Sequence, residues 1–130
     1  MGIIEAARGW IGTPWRHQCQ IKGAGVDCQM LLEAAAVESG IVLPRIPTDY
    51  SRTPSIRLKQ WLDDNLVDCE QSPGCIALLN LGTGIPYHLA IITDIGLLHA
   101  WNGGPKRVTE HRIDESWQRR IVQCYKMGDL

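Results

Sequence analysis

The sequence predicts an α+β fold in which N-terminal helices pack on a C-terminal antiparallel β-sheet. Apolar residues recur at helical spacing through the first part of the chain. After residue 65 the texture changes to short β-favouring runs separated by Gly, Pro, Asn or Asp. Helices first and strands afterwards fit such an arrangement better than a doubly wound parallel sheet. The length of 130 residues suits one domain over 1–130, burying roughly two-thirds of the surface that the unfolded chain exposes.

Ile3, Ile4, Ala7, Trp10 and Ile11 give an amphipathic helix over 3–11, closed by Gly12. Residues 12–27, with Pro14, Gly23 and Gly25, read as an ordered loop. A second helix begins at Cys28, with Asp27 as N-cap, Gly40 as stop, and Leu31, Leu32, Ala35 and Ala36 as its apolar stripe. Residues 41–53, with Pro44 and Pro47, form an irregular crossover. Thr53-Pro54 opens a third helix over 54–64, because proline fits the first helical turn. Strands follow at 75–79, 87–93, 97–101, 106–113 and 121–126.

Composition narrows the function. Hydrophobic residues are 45% and charged residues 21%, an ordinary globular balance. A net charge of −1, without long runs of either sign, gives no electrostatic reason for a nucleic-acid partner. The uncharged stretch 71–93 is broken by Pro73, Gly82, Gly84 and Pro86, so it reads as two buried strands and a loop rather than a membrane span. Cys19, Cys28, Cys69, Cys75 and Cys124 are odd in number and lack CxxC spacing, which predicts reduced thiols and neither a disulfide framework nor a zinc site. Charges near the start interrupt any export signal, so the chain is expected to be made in the cytoplasm without a signal peptide. Five Trp against no Phe suggest that some indoles line a cleft.

Cys28 falls on the first turn of the second helix, where unpaired N–H groups and the helix dipole favour a thiolate; its pKa is expected below the free value of about 8.5. The bland alternative is a small buried residue. A nucleophilic Cys needs a base. With a two-residue turn at Asp94-Ile95, Thr93 faces Gly96 and His88 faces Trp101, so His88 and His99 are diagonal neighbours on one face. They form either a Cys–His–His arrangement with Cys28 or a pair of satisfied polar residues at strand ends. His111, between Glu110 and Arg112, is read as solvent-facing. His17 borders the cleft or lies on the surface.

Gly12-Thr13-Pro14-Trp15-Arg16-His17, Gly25-Val26-Asp27-Cys28, Pro73-Gly74, His88-Leu89-Ala90-Ile91 and Leu98-His99-Ala100 follow one another in order. In these segments, spread over nearly the whole chain, it resembles the NlpC-type cysteine peptidases, papain-like bacterial and phage enzymes that cut cell-wall peptides. The resemblance implies a papain-like core, Cys28 as nucleophile, His88 as base and His99 as the orienting residue, with no metal or organic cofactor. It implies a peptidoglycan peptide as substrate, met by Trp15 and His17. The opening segment is most similar to phage tail-associated members, which implies tail or secretion-machine partners, a virion-associated setting or delivery to the wall by another machine. The chain departs from the family at Gln29-Met30, where Ser-Gly is usual. It departs again at Trp15, where a Tyr hydroxyl often helps hold the oxyanion, and at Cys75, which replaces an acidic residue. An inactive assembly module of the same fold and a Cys–His acyltransferase are the alternative functions.

Overall fold

The computed structural model describes residues 1–47, Tyr50 and 53–127. Its helices are α1 (Ile3–Arg8), α2 (Cys28–Ser39), α3 (Arg57–Asn65) and α4 (Glu115–Arg120). Its strands are β1 (Gln20–Ile21), β2 (Gly25–Val26), β3 (Asp68–Cys69), β4 (Ile76–Leu79), β5 (His88–Ile92), β6 (Leu97–Ala100), β7 (Val108–His111) and β8 (Ile121–Tyr125). Six strands form one antiparallel sheet in the order β3-β8-β4-β5-β6-β7, and β1 and β2 make a separate small hairpin. The predicted α+β arrangement is the observed one.

The second helix has the predicted bounds because both caps work. Asp27 is extended, and its Oδ1 accepts the Met30 N–H at 2.9 Å. Gly40 is left-handed (φ 76°), and the Ile41 N–H reaches back to the Ala36 carbonyl at 2.9 Å. The first helix is shorter than 3–11. It ends at Arg8 and continues as turns to Gly12, although Trp10 stays buried with its indole N–H on Glu38. The third starts at Arg57 rather than at 54, and Ser55 Oγ accepts the Arg57 N–H at 3.3 Å. Of the predicted crossover, 48–49 and 51–52 lie outside the described residues.

Alternation divides the sheet's residues between two cores. Leu89, Ile91, Leu98 and Ala100 pack with α1 and α2, while Ala77, Leu79, Ala90, Ile92, Leu97 and Cys124 form a smaller core with Trp117 of α4 packed against it. The stretch 71–93 contains β4 and β5 with a loop between them, and among the described residues no helix is long and apolar enough to cross a membrane. The hairpin turn is the predicted one: Ile91 pairs with Leu98, Ile92 pairs with Leu97, and the Thr93 N–H meets the Gly96 carbonyl at 2.8 Å. Thr93 Oγ1 accepts the N–H groups of Ile95 and Gly96, which fixes the turn.

Candidate active site

Cys28, His88, Trp15 and His17, all singled out from the sequence, line one cleft of about 120 Å³ together with Tyr50 and Trp101. Each arrives there for a local reason. The Asp27 cap sets Cys28 on the first turn of α2. His88 is the first residue of β5, so its side chain stands at the sheet's rim. Trp15 and His17 sit on the loop that β2 and the segment before β7 stitch down: the Trp15 N–H bonds the Lys106 carbonyl at 2.8 Å, and the Arg16 N–H bonds the Val26 carbonyl at 3.1 Å.

His88 Nε2 and His99 Nδ1 are 2.7 Å apart. The same-face placement read from the turn is therefore a direct hydrogen bond. It leaves Nδ1 as the remaining nitrogen of His88. His99 is wholly buried, and Trp101 stacks on it at 6.0 Å with 12° between the rings.

Three expectations need correction. His111 does not simply face solvent: its Nε2 lies 2.9 Å from His99 Nε2, and its Nδ1 lies 2.9 Å from the Arg112 carbonyl. The reason is register, since β6 and β7 place Leu97 opposite His111 and turn its ring onto the face that carries His99. The Cys28 thiol is not acidified. Burial and the adjacent Asp27 carboxylate push it up to about 12, while backbone N–H groups of Leu89, Gln29 and Cys28 pull less strongly the other way. The residue that starts the helix thus opposes the thiolate. Residues 12–27 are not only loop, since they hold the β1–β2 hairpin.

Burial holds His88 neutral, with its pKa lowered to about 3. His99 is lowered to about 2 by burial and by repulsion from the neighbouring imidazoles. The cleft therefore holds, at rest, a neutral thiol and a neutral imidazole.

Tyr50 was not foreseen as a site residue. Its hydroxyl donates to Asp27 Oδ2, which also accepts the Gln18 N–H at 2.7 Å, and its ring meets His17 edge-on at 5.3 Å. Only its position in an aromatic-poor, proline-flanked crossover hinted at it. Of the departures at 29–30, Gln29 lines the cleft and Met30 is absorbed into the main core. A second thiol group, Cys69, Cys75 and Cys124, lies apart from the cleft against the smaller core; all five cysteines are unpaired thiols. Among the described residues, no group of three or more His, Cys, Asp or Glu is arranged to hold a metal ion.

No family model and no curated protein matches the chain. Solved structures do. A lipoprotein-like protein of the NLP/P60 family from Staphylococcus aureus superposes with a TM-score of 0.68 at 18% identity, over 98% of this chain and 41% of its own. The NlpC/p60 domain of the peptidoglycan hydrolase SagA superposes with a TM-score of 0.63 at 18% identity, over 97% of both chains. The fold is the papain-like fold of NlpC/P60 proteins. Within the papain-like fold, a helix N-terminus beside the rim of an antiparallel sheet is the feature that brings Cys28 and His88 to one cleft. The chain spans under half the length of the staphylococcal protein.

Proposed function

We propose that the domain is a cysteine peptidase or amidase acting on peptidoglycan peptides. The observation that carries this reading is the convergence of Cys28 and His88 in one cleft, with His99 bonded to Nε2 of His88. The papain-like fold shared with the peptidoglycan hydrolase SagA supports the substrate class.

In this reading the neutral pair sets the order of events. His88 Nδ1 takes the Cys28 proton as the sulfur attacks the amide carbonyl, so no thiolate accumulates beforehand. The S–C bond forms and the carbonyl oxygen becomes an oxyanion facing N–H groups of the first turn of α2. The C–N bond then breaks as His88 returns the proton to the leaving amine, giving a thioester. Water, deprotonated by His88, attacks the thioester; the S–C bond breaks and Cys28 regains a proton. His99 holds the His88 ring throughout. Trp15, His17 and Tyr50 bind the peptide as walls of the cleft. We also place the domain in a phage-tail or secretion machine that carries it to the wall, on the strength of the Gly12-to-His17 opening.

Incubation of the purified protein with soluble muropeptides, followed by mass analysis of the products, tests this. New fragments differing by one water, absent with Cys28→Ala, are expected. An intact substrate pool would overturn the reading in favour of an assembly module. Transfer of the acyl part to an added amine, without hydrolysis, would favour the acyltransferase.

A further inference from the structure

A carboxylate as third residue can only accept a hydrogen bond, and so fixes the tautomer of the base by itself. An imidazole in that place cannot, because each ring nitrogen of His99 is able to donate or accept. The direction must come from elsewhere, and His99 Nε2 is in contact with His111. We propose that His111 is a positioning residue of the site: anchored on the Arg112 carbonyl, it sets the tautomers of His99 and His88 so that His88 Nδ1 offers its lone pair to Cys28. This rests on the reading of Cys28 and His88 as nucleophile and base.

Each step follows from donor and acceptor chemistry. The Arg112 carbonyl only accepts, so the His111 nitrogen 2.9 Å away, Nδ1, carries the hydrogen. A neutral ring has one N–H, so His111 Nε2 accepts. His99 Nε2 must then donate across 2.9 Å, and His99 Nδ1 accepts. His88 Nε2 therefore donates across 2.7 Å, and the lone pair remains on Nδ1. The reverse direction would set two lone pairs against each other at the carbonyl. Aromatic packing holds the rings in place: the Trp117 ring lies 4.8 Å from His111 and 5.3 Å from His99, and Trp101 stacks on His99. The neighbouring carboxylate, Glu110, is engaged on Arg8 at 2.7 Å.

Long-range ¹H–¹⁵N correlation of the wild-type protein near neutral pH reads the tautomers directly. The expected pattern is Nε2–H for His88 and His99 and Nδ1–H for His111. His111→Phe keeps a ring but removes the acceptor, and is expected to mix or reverse the His99 and His88 tautomers. The rate of Cys28 alkylation by iodoacetamide should then fall roughly tenfold or more, toward the loss of about 10⁴ seen when a triad histidine is held in the wrong tautomer. His111→Gln, whose amide both accepts and donates, should restore most of the rate. A wild-type spectrum with His88 protonated at Nδ1 overturns the proposal without any variant. So does a folded His111→Phe protein with unchanged tautomers and an unchanged alkylation rate. The expected tautomers together with uncut muropeptides would instead sink the peptidase reading and leave the His111 assignment standing.

Discussion

Cys28 sits between opposed influences, and the structure decides which wins. Helix N–H groups favour a thiolate, whereas burial and the Asp27 carboxylate, which caps the same helix, favour the thiol. With the thiol pushed up to about 12, the thiolate fraction rises about tenfold per pH unit throughout the neutral range. His88, lowered to about 3, stays a neutral base over the same range, so alkylation of Cys28 by iodoacetamide that runs through proton transfer to His88 should be flat from pH 6 to pH 9. A rate that instead climbs with the thiolate fraction would mean that the thiolate reacts without His88, and would count against the concerted step. His99 is the second residue whose replacement is informative. Being wholly buried between two imidazoles, its loss opens a cavity and leaves the His88 N–H without an acceptor. His99→Ala should lower turnover by up to about 10⁴ and also lower the melting temperature, whereas His99→Asn, which keeps an acceptor, should lose less of both. Turnover equal to wild type in a folded His99→Ala protein would remove His99 from the site. Cys28, His88 and His99 were legible in the sequence because each depends on a local rule, a cap or the two-residue period of a strand. Tyr50 was not, because it comes from an irregular crossover that no period describes.

At the scale of elements, the β5–β6 hairpin carries more than its own two strands. Gly96 closes the turn, and a Cβ there would lie 2.1 Å from the His111 carbonyl oxygen and 2.8 Å from Arg112 Cα. The obstruction is backbone, so it has no flexible side chain to yield. The missing methyl is what lets the 111–112 backbone lie against the turn, at the end of the strand that carries His111. Gly96→Ala should destabilise the fold by about 1–3 kcal/mol, the usual cost of overpacking. It should also lower turnover at temperatures where the variant is fully folded; activity equal to wild type there would show that the segment absorbs the shift. The turn at Asp94-Ile95 was readable from its residues, but the approach of β7 to it was not. That approach is set by β6–β7 register across the longer loop 101–107, which carries no single turn signature. The helix at 115–120 was missed although its signals are present. Asp114 accepts the Trp117 N–H at 2.8 Å, and Arg119 and Arg120 complete the last turn. Six residues are too few to show a 3.6-residue period.

For the whole molecule, the same burial that keeps the histidines neutral makes the fold acid-sensitive. His88 and His99 have folded pKa values near 3 and 2, against about 6.5 in an unfolded chain. Between those values the unfolded state binds protons that the folded state refuses, so stability is full above about pH 6.5 and falls as pH drops. The loss amounts to as much as about 1.4 kcal/mol per pH unit for each histidine. The lowered carboxylates Asp63, Asp94 and Glu110 add to the loss at still lower pH. Melting temperatures measured from pH 7 to pH 4 should fall steadily, with a shallower slope for His99→Asn. Equal slopes in both proteins would mean that His99 takes up its proton without unfolding. The fold class was legible because helical and strand textures occupy separate halves of the chain. The sheet order was not, because β8 enters between β3 and β4, a long-range pairing that no local pattern encodes.

The histidine chain ends on a main-chain oxygen, and this has a genetic consequence. No codon change at position 112 deletes a carbonyl, so the exposed Arg112 side chain can drift while the atom that orients three imidazoles is inherited unaltered. Heritable damage to that orientation arises instead at side chains, at His99 and His111 or at the Trp101 and Trp117 rings packed on them, and at position 96. Position 96 lies in a turn and holds no group that could react with a substrate. A screen that scores only cleft-lining codons would therefore overlook it.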